Sequence, residues 1–134
     1  MKRARRLVQK ALALDSENSQ AQRALGRILY MYDWDWKGGE TALRRAVHLN
    51  PSDVRAQFSL GLFLVYKGGF DEGVEHCEKA QRLDPLSLVP NIWLGMAYHW
   101  AGRWDDGFAQ MQFVSELHPG WAEVHHCVAS IYAA

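Results

Sequence analysis

Apolar, small and polar positions along this chain repeat with a period of about 34 residues. The clearest markers are three prolines spaced 34 apart and three glycines spaced 35 and 34 apart. A fixed period of this length is typical of proteins built from stacked supersecondary units. The markers are Pro51, Pro85 and Pro119 together with Gly26, Gly61 and Gly95.

Each period predicts two helices joined by a glycine-containing turn. In one copy Leu60, Gly61 and Leu64 fall on one stripe of a first helix, which ends at Gly68. A second helix follows and ends before Pro85, because proline cannot continue a helix and disfavours helix in the residue before it.

Small residues recur where the two helices of a copy must approach each other. We expect Gly61 to face Gly73 or Ala80, and Gly95 to face Gly107. A bulky side chain at these positions would hold the two backbones apart.

This pattern resembles the tetratricopeptide repeat family. The family's order of Leu-Gly, a Tyr-like residue, Ala, Phe and Pro is met with two departures: glycine replaces the alanine, and no tryptophan opens the first helix. The resemblance implies an all-α fold, an α-solenoid of seven to eight helices in a right-handed superhelix. In the third copy the matching residues are Leu94, Gly95, Tyr98, Gly107, Met111 and Pro119.

The repeat register divides the chain, and residues 1–134 are expected to form a single domain. We expect the chain to be a fragment of a longer protein, because Val128, Ile131 and Tyr132 end it with nothing sequential to cover them. The predicted parts are a half repeat at 1–18, full repeats at 19–53, 54–87 and 88–121, and a half repeat at 122–134.

A second resemblance lies in the segment 32–36, Tyr-Asp-Trp-Asp-Trp, taken together with segment 84–88, Asp-Pro-Leu-Ser-Leu. Similar phrases occur in the repeat regions of bacterial signalling proteins such as winged-helix regulators and nucleotide cyclases. The resemblance implies an origin in a larger bacterial regulatory protein.

Composition narrows the class of partner. The chain carries 15 basic and 15 acidic side chains, which argues against nucleic acid or an anionic membrane as its ligand. No apolar run approaches the roughly 18 residues of a membrane span, and there is no signal-peptide pattern. With two cysteines, Cys77 and Cys127, the chain is too poor in cysteine for a disulfide scaffold. We therefore expect a soluble, cytoplasmic protein.

Catalytic and metal-binding motifs are not evident, so we predict that the protein is not an enzyme and takes no cofactor or metal. His125, His126 and Cys127 are consecutive, and neighbouring residues on a helix diverge by about 100°, so they cannot share one metal. Cys77 is expected to be a buried structural thiol. Trp36 and Trp104 occupy the repeat's aromatic position and are expected in the core.

Helix geometry predicts a binding groove. In this family the first helix of each pair lines the concave side, and residues such as Arg55 and Phe58 point roughly 130° away from the packing stripe. The groove is predicted to be basic at one end and apolar in the middle. Its predicted peptide-binding residues are Arg23, Arg27, Tyr30, Arg55, Phe58, Leu62, Val65, Ile92, Met96 and His99.

Two functions are consistent with this groove. The first is an interaction module that holds a peptide or helix of another protein, while a clamp for chaperone tails is disfavoured because apolar residues replace its polar positions. The second is a structural spacer or oligomerisation arm of a larger enzyme, such as a glycosyltransferase or a cyclase. A neighbouring segment of the full-length protein is the other candidate for covering the apolar residues.

Charge is unevenly distributed along the chain. Residues 1–53 hold 10 basic and 6 acidic side chains, whereas residues 54–134 hold 5 and 9. Weak head-to-tail self-association through the open ends is therefore expected at high concentration, and salt should weaken it.

Overall fold

In a computed structural model of the protein, residues 1–120 are described, and they form seven α-helices and no strand. The predicted half repeat at 122–134, which includes His125, His126 and Cys127, lies outside the described residues. The helices are α1 (Lys2–Leu14), α2 (Ser19–Tyr32), α3 (Trp36–Leu49), α4 (Val54–Lys67), α5 (Phe70–Leu83), α6 (Leu88–Trp100) and α7 (Trp104–Leu117).

Contacts divide the chain into two compact units, an N-terminal unit of residues 1–60 and a C-terminal unit of residues 61–134. The boundary falls inside α4. The single-domain organisation and the repeat boundaries stay predictions. None of the helices within residues 1–120 has the length and apolar character needed to cross a bilayer.

In the N-terminal unit α1 packs on α2, and α2 packs on α3. The side chain of Asn18 begins α2 by accepting a hydrogen bond from the backbone N–H of Ala21 at 2.9 Å. The carboxylate of Asp35 begins α3 in the same way, from the N–H of Gly38 at 2.8 Å. These side chains satisfy N–H groups that have no partner inside their own helix.

Glycine permits α2 to approach α3. A Cβ atom on Gly26 would lie 2.7 Å from Cγ of Leu43 and 3.0 Å from the carbonyl oxygen of Gly39. Separations this short are closer than packed atoms tolerate. The contact therefore requires glycine at the first position and a small residue opposite.

Glycine permits the same close approach of paired helices in the C-terminal unit. A Cβ atom on Gly61 would lie 2.6 Å from Sγ of Cys77 and 2.8 Å from the carbonyl oxygen of Gly73. On Gly95 it would lie 2.5 Å from Sδ of Met111. The expected approach of Gly61 to Gly73 is confirmed. At Gly61 one of the obstacles is backbone, whereas at Gly95 it is the flexible end of a side chain.

An amide side chain near the start of α2, α4 and α6 binds the carbonyl oxygen six residues earlier. Gln22 donates to the carbonyl of Ser16 at 3.3 Å, Gln57 to that of Pro51 at 2.8 Å, and Asn91 to that of Pro85 at 2.8 Å. Gln57 and Asn91 are fully buried. The amide stands where the family usually has tryptophan, so a polar bond to the preceding turn replaces an apolar contact.

The turn between the two helices of a pair contains a residue in the left-handed backbone conformation, with a positive φ. Gly68 has φ 99° and Gly102 has φ 76°, as glycine allows. The residue at the matching position in the N-terminal unit is Trp34, which has φ 56°. A side chain other than glycine is disfavoured in this conformation by roughly 1–2 kcal/mol. The N-terminal unit thus carries local backbone strain at an exposed tryptophan.

We predict that Gly61→Ala destabilises the protein by about 1–3 kcal/mol, because the new methyl group meets the backbone of α5. Gly95→Ala is the matched control. The nearest neighbours of its methyl group are side-chain atoms of Met111 and Gln110 and not backbone, so Gly95→Ala should destabilise the protein less than Gly61→Ala does. Urea denaturation of both variants checks this, and equal midpoints would reject the assigned helix contact.

We also predict that Asn91→Ala costs about 1–3 kcal/mol. It removes the bonds to the carbonyls of Pro85 and Ser87 and the acceptor for Gln110 Nε2 at 2.7 Å. Gln22→Ala, at a half-buried site with a longer bond, should stay within about 0.5 kcal/mol of the parent protein. Thermal unfolding of the two variants measures the difference, and an Asn91→Ala protein as stable as the parent would contradict it.

Candidate protein-binding surface

The basic end of the predicted groove consists of Arg23 and Arg27 on α2 and Arg55 on α4, all in the N-terminal unit. Arg27 and Arg55 are exposed, and Arg23 is half-buried. Among residues 1–120 none of these guanidinium groups forms a hydrogen bond or an ion pair. Other arginines of the unit do have partners: Arg5 holds Asp33 with two bonds of 2.8 and 2.6 Å.

Arg23 is the centre of this cluster. Its Nε atom is shielded from solvent and has no hydrogen-bond partner among the described residues. Burial lowers the pKa of Arg23, the carboxylate of Asp53 opposes this, and the charges of Arg27 and Arg55 lower the pKa further. Arg23 therefore lies close enough to Arg27 and Arg55 to be repelled by their charges.

Asp53 is already engaged. Its Oδ1 accepts a hydrogen bond from the backbone N–H of Arg55 at 2.9 Å, close to the start of α4. A carboxylate at the N-terminus of a helix also interacts favourably with the helix dipole. Asp53 therefore serves as part of the helix start and offsets only part of the local positive charge.

Two adjoining cavities share Arg23. We call the first the basic pocket; it has a volume of about 430 Å³ and is lined by residues that include Gln20, Arg23, Asn50, Ser52, Asp53 and Arg55. We call the second the apolar pocket; it lies between α1 and α2, has a volume of about 290 Å³, and is lined by residues that include Val8, Arg23, Ala24, Arg27, Ile28 and Met31.

Two of the predicted groove residues belong to the core. Leu62 is 8% exposed and Val65 is 3% exposed. A Cβ atom on Gly73 would lie 2.6 Å from Cγ2 of Val65, so Val65 packs against α5. This corrects the expectation that both residues line an open groove. Leu62 and Val65 lie at the border between the packed face and the outer face of α4, and their side chains belong to the packed face.

Tyr30 and His99, at the matching positions of α2 and α6, also lie toward the second helix of their own pair. A Cβ atom on Gly39 would lie 3.0 Å from Cβ of Tyr30, and the Tyr30 ring lies 6.0 Å from that of Trp36. The His99 ring meets Trp104 edge-on at 4.7 Å. Both residues are half-buried, so only part of each side chain is open to a ligand.

Trp36 and Trp104 are not core residues, contrary to prediction. Trp36 is 36% exposed and Trp104 is 61% exposed. Each is the first residue of a second helix, at the edge of the helix pair. The ring of Tyr30 packs on Trp36 and that of His99 packs on Trp104, and both indoles stay partly exposed.

The remaining apolar candidates, Phe58, Ile92 and Met96, are half-buried. Ile92 packs against the buried pair Leu88 and Val114 of its own unit. These three residues thus offer less open surface than the sequence pattern indicated. Their role in binding stays a prediction.

A polar cluster that sequence analysis missed joins α5, α6 and the start of α7. The hydroxyl of Tyr98 donates to Glu78 Oε1 at 2.8 Å, and Arg103 lies 3.7 Å from the same oxygen and 4.7 Å from the centre of the Tyr98 ring. Burial and the bond to Glu78 raise the pKa of Tyr98. The three residues occur once, so no periodic signal marks them. Their contacts favour a structural role.

Cys77 is buried, as predicted, and burial raises the pKa of its thiol to about 12. A thiol with so high a pKa is unreactive at neutral pH. Within the part of the chain that the structure describes, no three His, Cys, Asp or Glu side chains are grouped as a metal site requires.

The fold and the surface define a helical repeat protein. Residues 35–87 match the family model of the tetratricopeptide repeat. Together with the repeat fold, this match confirms the predicted resemblance to the tetratricopeptide repeat family.

Similar proteins come from several sources. Superkiller protein 3 of Schizosaccharomyces pombe is 26% identical over 98% of this chain, which spans only 10% of that protein. YrrB, described as a TPR protein with an unusual peptide-binding site, is 22% identical, with a TM-score of 0.73. The match covers 98% of this chain and 69% of the YrrB chain. TTC0263, a TPR protein of Thermus thermophilus, is 20% identical, with a TM-score of 0.76. The match covers 95% of this chain and 70% of the TTC0263 chain.

The burial of Leu62 leads to a prediction. Leu62→Ala should destabilise the protein by about 2–5 kcal/mol, as expected when a leucine is truncated in a packed core. Arg55→Ala, on the same helix but at an exposed position, should change stability by less than about 0.5 kcal/mol. Urea denaturation compares the two. A Leu62→Ala protein as stable as the Arg55→Ala protein would show that Leu62 is not packed in the core.

Proposed function

We propose that this protein is an interaction module that binds a peptide or helix of another protein through α2 and the start of α4. The fold is that of protein–protein interaction modules, which supports the general class. The proposal retains the cytoplasmic location expected from the sequence, an origin in a larger bacterial regulatory protein, and no catalytic role of its own.

The observation that carries the proposal is the group of arginines without partners. The charges of Arg27 and Arg55 repel that of Arg23, and none of the three arginines has an ion pair in the described chain. Keeping charges of one sign together is unfavourable for the free protein, whereas it raises affinity for an anionic ligand. Because arginine forms paired hydrogen bonds with carboxylates, an acidic group of the ligand would satisfy the cluster.

The apolar pocket supplies the second half of the recognition. Ile28, Met31 and Val8 line it beside Arg23 and Arg27, so an apolar side chain of the ligand would be buried next to its acidic group. Burial of apolar area stabilises a complex by about 25 cal/mol per Å², before the entropy cost of association. The proposed ligand is therefore a short segment with a large apolar side chain next to an acidic residue.

This ligand modifies the groove hypothesis. The acidic contact remains with Arg23 and Arg27, whereas the apolar contact moves from the α4 residues Leu62 and Val65 to the pocket between α1 and α2. The peptide-binding site ascribed to YrrB supports a peptide as the kind of ligand that such repeats accept.

A spacer or oligomerisation arm without a ligand of its own is the second candidate. It is favoured by the small share, 10%, that this chain spans of its S. pombe relative, in which the matching region forms part of a much longer chain. A spacer has no need of a group of unpaired arginines, and on that ground we prefer the interaction module.

Selection from a displayed library of random dodecapeptides tests the proposal. We expect enriched peptides to pair an acidic residue with a large apolar one. The variant Arg23→Gln/Arg27→Gln should bind them at least about tenfold more weakly, because it loses charge-assisted hydrogen bonds worth roughly 1.5–3 kcal/mol. Arg82→Gln, at an exposed arginine of α5, is the matched control and should bind normally. Failure to enrich any peptide that distinguishes the double variant from the control would favour the spacer.

A further inference from the structure

We infer that the basic pocket selects a dianion, the phosphate group of a phosphorylated side chain in a partner protein, with an adjacent apolar group in the apolar pocket. This inference rests on the proposed function and names the chemical class of its ligand. It concerns only the N-terminal unit, which contains both pockets.

The charge balance of the site favours a ligand with two negative charges. Arg23 and Arg55 line the basic pocket with Asp53, and Arg27 lines the adjoining apolar pocket. The charges of Arg27 and Arg55 act on Arg23, and that of Asp53 opposes them. Across the two adjoining pockets, two positive charges therefore remain. A carboxylate offsets one of them, whereas a phosphate monoester carries about −1.5 to −2 at pH 7 and offsets both.

The donors around the basic pocket also suit a phosphate. Besides the arginines, the side-chain amides of Gln20 and Asn50 and the hydroxyl of Ser52 line it, and no side-chain hydrogen bond of these three occurs among the described residues. A phosphate monoester presents three terminal oxygens as acceptors. Arg23, which also lines the pocket, has no hydrogen-bond partner for its Nε within residues 1–120.

The neighbouring apolar pocket indicates what the phosphate is attached to. Arg23 lines both cavities, so a phosphate bound to Arg23 lies beside Ile28 and Met31. At about 290 Å³ the apolar pocket has room for one large side chain. Apart from its two arginines and Tyr32 its side chains are apolar, which suits an aromatic or aliphatic group better than a sugar.

A phosphopeptide is the source that these features favour. Nucleic acid would need positive charge along an extended surface, and the chain as a whole has no net charge. Recognition of a phosphorylated segment by an arginine cluster is instead a local event that needs one such pocket. Binding of this kind would make the interaction dependent on phosphorylation of the partner.

Small probes test the charge requirement without a known partner. Phenyl phosphate carries a ring and a dianion, phenyl sulfate has the same shape with one charge, and inorganic phosphate lacks the ring. Titration at pH 7.5, followed through the Nε–Hε NMR signals of arginine, should show phenyl phosphate binding about tenfold more tightly than either of the others. Equal binding of phenyl phosphate and phenyl sulfate would overturn the dianion assignment.

Variants locate the binding. Arg23→Gln should reduce phenyl phosphate affinity about tenfold or more, and Arg55→Gln, at an exposed position that does not affect the core, should do so as well. Ile28→Ala should weaken phenyl phosphate but leave inorganic phosphate unchanged. Arg82→Gln is the control and should have no effect. Unaltered binding by Arg55→Gln, with its helical content intact, would place the phosphate elsewhere and overturn the inference.

A binding measurement with a phosphorylated peptide distinguishes failure of this inference from failure of the proposed function. A library-selected peptide is synthesised with phosphoserine in place of its acidic residue, and we expect about tenfold tighter binding. If the selected peptide binds through Arg23 but the phosphorylated form binds no better, the proposed function stands and the inference fails. AMP is the last probe: tighter binding of AMP than of the phosphopeptide would assign the pocket to a nucleotide and overturn the inference.

Discussion

The close contact between paired helices is the constraint on which the rest of the structure depends. In each described pair a glycine of the first helix lies against the second, as Gly26 does against Leu43 and Gly61 against Cys77. No side chain larger than hydrogen fits at those points without displacing its neighbours. Because the contact fixes how the first helix is rotated, it also decides which of its residues point away from the pair and can meet a ligand.

The candidate binding surface is a consequence of that rotation. With Gly26 turned toward α3, Arg23 and Arg27 lie on the side of α2 that faces the two pockets of the N-terminal unit. The turn before α4 then brings Asp53 and Arg55 to the basic pocket. Positive charge is thus concentrated at one place by the packing of the N-terminal unit, while the protein as a whole stays neutral.

Sequence reasoning predicted the helices and the glycine contacts, because period and steric demand are local properties that repeat along the chain. It failed where a residue lies at the border of two faces: Val65 and Leu62 are packed, although their angle from the packing stripe indicated an open groove. It also placed Trp104 in the core, where the edge of a helix pair covers only one side of the ring. The apolar pocket could not be predicted, since it requires α1 to pack on α2.

The position of a bound peptide on the isotope-labelled protein can be mapped by NMR, and this tests the proposed binding surface directly. Backbone and arginine Nε–Hε NMR signals would be followed while a library-selected peptide is added. We expect the largest changes on Arg23, Arg27 and Arg55 and on the residues of α1 and α2 that line the apolar pocket. A footprint confined to α5 and α7, with the three arginine signals unmoved, would contradict the proposed binding surface.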